Sequence, residues 1–279
     1  MPGRSLRVWA RHAGPPRAHP HPTPSPALPH FRAVIKIREV QGVMLIGSTI
    51  EHNIDPCTDI DLRICHKPNI NVDQLKQRVY QEYLALGLAK DNLKSIHSPF
   101  DDFSFQFDNM YLETEFCTLS DIEGSISTVL NGKISDDGII HAFQTGKILH
   151  DDNDKLLNLQ QSIKSLEVSP LLVEFCIKRY EAVSLKLMLH SIMRKDYANA
   201  YYWTWRTFID SSRILFAKNK TFFPGTKRLL THYIPKLTKC PDTFIEFWGA
   251  VFGCGNIGWE KIYEKALGLM LQIKDIEVH

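Results

Sequence analysis

Apolar residues follow two different spacings along the chain, and the change between them divides it into two parts. In the first part, apolar runs and strict alternation of apolar with polar residues predict strands, because successive side chains of a strand point to opposite faces. Strands are predicted over residues 43–47, 59–65, 103–107 and 111–118, and the last two form a hairpin that turns at Asp108-Asn109. Apolar residues with helical spacing predict a helix over residues 72–86. Together these elements indicate a mixed sheet with helices packed on it.

Helical spacing dominates beyond Leu119. Helices are predicted over residues 138–147, 154–166, 170–194, 198–218, 226–236, 241–253 and 259–274. Prolines and glycines separate several of them, as at Ser169-Pro170 and Phe223-Pro224-Gly225. The fold class predicted from both parts is α+β, with an N-terminal mixed-sheet domain over residues 32–135 and an all-helical bundle domain over residues 136–279.

Residues 1–31 are rich in proline, histidine and arginine, and no acidic residue occurs before Glu39. Such a composition cannot bury enough apolar surface to fold, so we expect a disordered tail. A targeting peptide is the alternative, but the density of proline opposes the amphipathic helix that a mitochondrial transit peptide forms. The fold prediction therefore starts at residue 32.

The overall composition is that of an ordinary globular protein, with 44% hydrophobic and 23% charged residues. A formal net charge of +2 argues against a dedicated nucleic-acid surface, so nucleic acid is not an expected partner. No apolar stretch reaches the roughly 18 to 20 residues that span a membrane. The six cysteines lack CxxC spacing, which favours reduced thiols in a cytoplasmic protein over a disulfide framework or a zinc site.

The strongest chemical signal lies where the first predicted strand ends and the second begins. Gly47-Ser48 closes the first strand, and a turn of this kind offers backbone N–H groups and a hydroxyl to a phosphate. Asp59 and Asp61 open the second strand and share one face of it, roughly 6 to 7 Å apart. Two carboxylates on one face suit Mg²⁺, which takes oxygen ligands from carboxylates and phosphates.

A third carboxylate is expected from a neighbouring strand, because a two-metal phosphoryl-transfer site usually needs one. Glu113 and Glu115 are the candidates, since they lie two residues apart in a predicted strand and share one face. Either residue can ligate a metal ion or accept a proton from a hydroxyl. The alternative is an exposed strand face that carries ordinary surface charge.

These motifs resemble the nucleotidyltransferase superfamily, whose catalytic domain has the DNA polymerase beta-like fold. Residues 45–48 (Leu-Ile-Gly-Ser) and 58–62 (Thr-Asp-Ile-Asp-Leu) match its signature in residue type and spacing. Glu113 and Glu115 occupy the place of its third acidic strand, and residues 146–151 are similar to a segment that often begins its helical part. Within the superfamily, the chain resembles the small-substrate, minimal type with a helical C-terminal domain.

The resemblance implies a magnesium-dependent nucleotidyl transfer. By this resemblance, Gly47 and Ser48 hold the β- and γ-phosphates of a nucleoside triphosphate, with ATP as the first candidate. Asp59 and Asp61 bind two Mg²⁺ ions, and Glu115 completes the catalytic set, with Glu113 as a further metal ligand. A hydroxyl of a small molecule or of a protein then attacks the α-phosphate, and pyrophosphate is released.

Three basic segments have two interpretations each. Arg63 shares the strand face of the two aspartates, so it can contact substrate or form a structural salt bridge. Lys147 can reach a phosphate from the junction of the two predicted domains, or it is an ordinary exposed lysine. The turn over residues 222–228 places Lys227 and Arg228 at a predicted helix start, where cations oppose the helix dipole. They serve an anionic ligand, or they belong to an exposed basic turn.

A second function is consistent with the same fold. Glu51 lies close to the phosphate-binding turn, where many relatives have a small residue, and an acidic side chain there disfavours a triphosphate. This favours an inactive or antitoxin-like module that binds a partner protein. The intact acidic positions favour the enzyme, which is the function that we expect.

Overall fold

The structure is a computed structural model that describes residues 32, 34–47, 50, 59–85, 102–107, 110–131, 138–253 and 257–277. Side chains are described for all of these except residues 102–107, 110 and 111. The predictions for residues 1–31, Ser48, Glu51 and the turn at Asp108-Asn109 lie outside the described residues. In the described ranges, no helix is both long and apolar enough to cross a membrane.

Five strands form one mixed sheet. They are β1 (Val40–Ile46), β2 (Ile60–His66), β3 (Asp102–Phe107), β4 (Met110–Cys117) and β5 (Lys147–Asp151). Their order in the sheet is β3-β4-β2-β1-β5. β2 and β4 run parallel, and the other neighbouring strands are antiparallel. β2 is the central strand, so its residues have neighbours on both sides.

The two faces of the sheet pack against different layers. One face carries Leu62 and Ile64, which form a core with the apolar side of α1 (Val72–Ala85). The other face carries Cys65, which belongs to the core of the helical part of the chain. Because side chains alternate along β2, Asp61 lies on the same face as Cys65. The acidic end of β2 therefore faces the helices that follow the sheet.

Eight further helices make up most of the rest of the described chain. They are α2 (Leu119–Leu130), α3 (Gly138–Thr145), α4 (Lys155–Lys164), α5 (Pro170–Arg179), α6 (Lys186–Met193), α7 (Tyr197–Lys218), α8 (Asp242–Phe252) and α9 (Trp259–Lys274). A π-helical segment, Tyr180–Leu185, joins α5 to α6. A second one, Leu229–Tyr233, lies between α7 and α8 and leads into a 3-10 turn, Ile234–Lys236.

Polar residues cap the first turns of two helices. Thr118 caps α2, and its side chain and that of Asp121 each bond the other's backbone N–H in a capping box. Ser169 accepts the N–H of Leu172 at the start of α5, and Pro170 is the first helical residue. Proline fits there because the first turn of a helix leaves its N–H groups without an intrahelical partner.

The structure confirms the predicted α+β class and the four predicted strands. The helix predicted over residues 170–194 contains the π-helical segment Tyr180–Leu185, and two further regions differ from the sequence prediction. β5 pairs with β1, although it falls in the part predicted to be all helical. A register shift in this pairing interrupts the alternation that would have marked a strand. The helix predicted over residues 226–236 is replaced by the π-helical segment and the 3-10 turn. Arg228 has a left-handed φ of 58°, and Pro235 lacks the N–H that a longer α-helix needs.

Candidate functional site

Strand register brings the acidic residues of β2 and β4 together. The parallel pairing sets Asp61 beside Glu113 and Arg63 beside Glu115, all on the face that packs against the helical part. Asp59 precedes β2 by one residue and falls on the same face by the same alternation. The face therefore carries a like-charged pair and, next to it, an oppositely charged pair.

Glu115 forms a salt bridge with Arg63. The Arg63 Nε donates to Glu115 Oε2 at 2.6 Å, and the Nη2 of Arg63 donates to the same oxygen. The Arg63 side chain is 9% exposed, and its guanidinium carbon lies 5.5 Å from the ring centroid of Phe143. Arg63 therefore forms the salt bridge that was one of its two interpretations. Because Arg63 holds Glu115, the structure favours Glu113 as the third carboxylate.

Asp59, Asp61 and Glu113 form a group that we call the carboxylate cluster. Burial raises the pKa of Asp61 to about 7, and the charges of Glu113 and Asp59 and a hydrogen bond with Glu113 act in the same direction. The ammonium group of Lys227 opposes these effects. Desolvation is thus the main cause of the raised pKa, and the like charges of the neighbouring carboxylates add to it.

Gly47 lets the backbone approach this cluster closely. It follows β1 with a φ of +75°, in the left-handed region that glycine adopts without strain. A Cβ atom at this position would overlap the Oδ2 of Asp61. The glycine of the Gly-Ser motif is therefore required both by the turn and by the carboxylate that lies against it.

The helical part of the chain contributes a cation to the cluster. Lys227 lies in the loop after α7, and its Nζ is 3.5 Å from Oδ2 of Asp59. Burial lowers the pKa of Lys227, but the charges of Asp61, Glu113 and Asp59 outweigh that effect and raise the pKa overall. The lysine side chain is 76% exposed, so its ammonium group reaches the carboxylates from the solvent side. This position favours a ligand-binding role for the basic turn.

Lys147 lies on the opposite face of the sheet. It pairs with Leu45 across β5 and β1, and Leu45 belongs to the core that packs against α1. Paired residues on neighbouring strands share a face, so the exposed side chain of Lys147 is separated from the cluster by the sheet. Lys147 is thus an exposed lysine that the structure does not bring together with the cluster.

The ligands that the cluster offers are carboxylate oxygens. In the described part of the chain, no group of three or more His, Cys, Asp or Glu side chains forms a metal site by itself. Mg²⁺ is commonly bound by one or two carboxylates together with substrate phosphates and water. The pair Asp61 and Glu113, with Asp59 next to it, suits an ion that arrives with a phosphate group.

Sequence reasoning indicates the basic turn but not its target. Asp59 and Lys227 are far apart in the chain, and only the packing of the helical part on the sheet brings them together. The available signal in the sequence is the aromatic pair Phe222-Phe223 directly before the turn. Phe222 and Phe223 are both buried, so the two aromatic residues anchor the turn that ends in Lys227.

The stability of the protein is expected to depend on the charge of Asp61. Its pKa is about 7 in the folded protein against 3.8 for an unperturbed aspartate, so the folded state binds an extra proton between these values. The resulting stabilisation is complete below about pH 4 and lost by about pH 7. Asp61→Asn cannot ionise. The free energy of unfolding of this variant, relative to that of wild type, should therefore rise by about 1–2 kcal/mol between about pH 5 and pH 8. Thermal unfolding of both proteins at each pH checks this, and a constant difference would contradict it.

No protein-family model matches the chain, and no curated protein matches its sequence. A nucleotidyltransferase-like protein from Exiguobacterium sibiricum aligns with a TM-score of 0.43 and 10% identity, over 89% of this chain and 73% of the other. A spectinomycin adenyltransferase from Enterococcus faecialis, solved with ATP and spectinomycin, aligns with a TM-score of 0.40 and 14% identity, over 88% of this chain and 98% of the other. The chain is thus similar to solved nucleotidyltransferase structures.

Proposed function

We propose that the protein transfers a nucleotidyl group from a nucleoside triphosphate to a hydroxyl group, with Mg²⁺, and releases pyrophosphate. The observation that carries this proposal is the carboxylate cluster with Lys227 at its edge. Asp61 and Glu113 lie side by side on β2 and β4, and the Lys227 ammonium lies 3.5 Å from Asp59. The site therefore combines carboxylates that can bind a metal ion with an ammonium group that can bind a phosphate, as phosphoryl-transfer chemistry requires.

The residues of the cluster fit Mg²⁺. All three are carboxylates, the hard oxygen ligands that this ion prefers. Burial and the neighbouring carboxylates raise the pKa of Asp61, and a divalent cation would favour its charged form. Asp59 and Asp61 would hold two ions, with Glu113 completing the set. When bound, Mg²⁺ would neutralise negative charge on the phosphates.

The chain's own residues would bind the triphosphate and move one proton. Lys227 would donate hydrogen bonds to phosphate oxygens from the helical side, and the turn at Gly47 would offer backbone N–H groups to a phosphate. Glu113 would accept the proton of the acceptor hydroxyl, since Arg63 holds Glu115. The hydroxyl oxygen then bonds to the α-phosphorus, and the bond from that phosphorus to the pyrophosphate oxygen breaks.

ATP is the first candidate for the nucleotide, and the acceptor is a hydroxyl of a small molecule or of a protein. The cytoplasm is the proposed location. Cys65 and Cys117 are neighbours across β2 and β4, and both are free thiols. Neighbouring free thiols are typical of a reducing compartment, because an oxidising one favours disulfides.

Label transfer tests the proposed function. The protein is incubated with Mg²⁺, α-labelled ATP, CTP, GTP or UTP, and candidate acceptors, alongside the double variant Asp59→Ala/Asp61→Ala. Wild type should label an acceptor and show a higher Tm with Mg²⁺ and nucleotide, because the carboxylates hold the metal–triphosphate complex. The double variant should do neither. Equal label transfer and equal thermal shifts in the two proteins would overturn the proposal.

A further inference from the structure

Three polar side chains meet around Asp210 in the core of the helical part. Asp210 is 1% exposed and lies on α7. It accepts hydrogen bonds from the hydroxyl of Ser184 and from Nη1 of Arg213, the latter at 2.9 Å, and the Nε of Arg179 is 3.5 Å away. Ser184 belongs to the π-helical segment Tyr180–Leu185. Segments of this kind are frequent at functional sites.

Buried ion pairs such as those of Asp210 contribute little to the free energy of unfolding. Burial removes the hydration of each charge, and the ion pairs recover that free energy only in part. Apolar side chains of similar volume would hold the helices together at least as well. The charges around Asp210 therefore point to a role in fixing one geometry of the residues that they touch.

Arg213 connects Asp210 to the turn that carries Lys227. Its guanidinium bonds to Asp210, and its central carbon lies 5.0 Å from the ring centroid of Phe223. Phe216 packs edge-on against the same ring, with centroids 5.9 Å apart. Phe223 is buried between these contacts and stands four residues before Lys227. The position of the Phe223 ring thus sets where the turn leaves the core.

Only three residues join Phe223 to Lys227. Pro224 has a fixed φ because of its ring. Gly225 has a φ of +102°, and a Cβ atom placed on Gly138 at the start of α3 would lie 3.7 Å from the Cα of Gly225, so the turn passes close to α3. A shift of Phe223 would therefore move Lys227 relative to the carboxylate cluster.

We propose that Arg213 is a positioning residue: held by Asp210, it fixes Phe223 so that the Lys227 ammonium lies at the carboxylate cluster. The consequence for catalysis rests on the proposed function. The geometry itself can be tested without any activity.

Carbodiimide cross-linking tests the geometry. The reagent activates a carboxylate, and an amine in contact displaces the activated group as a urea and forms an amide. Mass spectrometry of the full-length protein after digestion should find the Lys227–Asp59 amide in wild type. Arg213→Met and Phe223→Leu should lower its yield about tenfold, because amide formation depends on proximity. The Lys178–Glu174 amide within α5, where the charged groups are 2.5 Å apart, is the internal reference.

Arg179→Met is the matched control. It removes the other cation of Asp210 but leaves the contact of Arg213 with Phe223 in place. Its Lys227–Asp59 yield should equal that of wild type, even where its Tm falls. Phe223→Leu leaves the charged group intact, so it reports on the ring contact alone. An equal loss in Arg179→Met, or an unchanged yield in both Arg213→Met and Phe223→Leu, would overturn the proposal.

The transfer reaction gives an independent readout. Arg213→Met and Lys227→Met should each lower kcat/KM about 10- to 100-fold, the scale of a misplaced catalytic group. The double variant should fall no further, because Arg213 acts through Lys227. If the losses of the two single variants multiply in the double variant, this coupling is contradicted. A wild-type protein without transfer activity would contradict the proposed function and leave the cross-linking result standing.

Discussion

Asp61→Asn is expected to lower nucleotidyl transfer about a thousandfold, the scale of losing one electrostatic element of such a site. Asparagine keeps the size of the side chain but has no negative charge for a metal ion. Asp61 is the central member of the cluster, because β2 lies between β1 and β4 and sets Asp61 beside Glu113. The measurement is kcat and KM for α-labelled nucleotide at saturating Mg²⁺.

Asp73→Asn is the matched control for Asp61→Asn. Asp73 is exposed in the first turn of α1, and α1 packs on the face of the sheet opposite the cluster. The same chemical change there should leave kcat and KM as in wild type. If Asp61→Asn kept more than about a tenth of the wild-type rate, Asp61 would not be a ligand of the reacting complex.

Glu113→Gln and Glu115→Gln are expected to separate the roles of the two glutamates. Glu113→Gln should lower kcat about a hundredfold or more, because the group that accepts the hydroxyl proton is lost. Glu115→Gln should keep most of the activity, but its free energy of unfolding should fall by about 1–2 kcal/mol, because buried Arg63 loses its charged partner. Steady-state kinetics and denaturant unfolding of both variants check these results. A stable but inactive Glu115→Gln would make Glu115 the third carboxylate.

The shared face of Asp59 and Asp61 could be predicted, because it depends only on their spacing in the sequence. The period of two in a strand fixes that Asp59 and Asp61 share a face, whatever the rest of the fold does. The choice between Glu113 and Glu115 could not be made in the same way. A shift of two residues in the pairing of β4 with β2 exchanges the two glutamates and keeps both on the same face. Only the register of the structure distinguishes them.

The contribution of the helical part depends on long-range packing, which the spacing of residues does not contain. Lys227 is visible in the sequence as a cation in a turn, but its contact with Asp59 needs the helices to be docked on the sheet. Asp210 and Arg213 were missed altogether. A charged pair three residues apart within the buried stretch of α7 was the available signal. The edge strand β5 was missed because it is short and irregularly paired.

The fate of labelled phosphates in wild-type protein tests the central claim most directly. The protein is supplied with Mg²⁺, an acceptor, and ATP labelled at either the α- or the γ-phosphate. We expect the α-label on the acceptor, the γ-label in pyrophosphate, one pyrophosphate per modified acceptor, and no transfer after chelation of the metal. A γ-label on the acceptor, or transfer that a chelator leaves unchanged, would contradict nucleotidyl transfer at the carboxylate cluster.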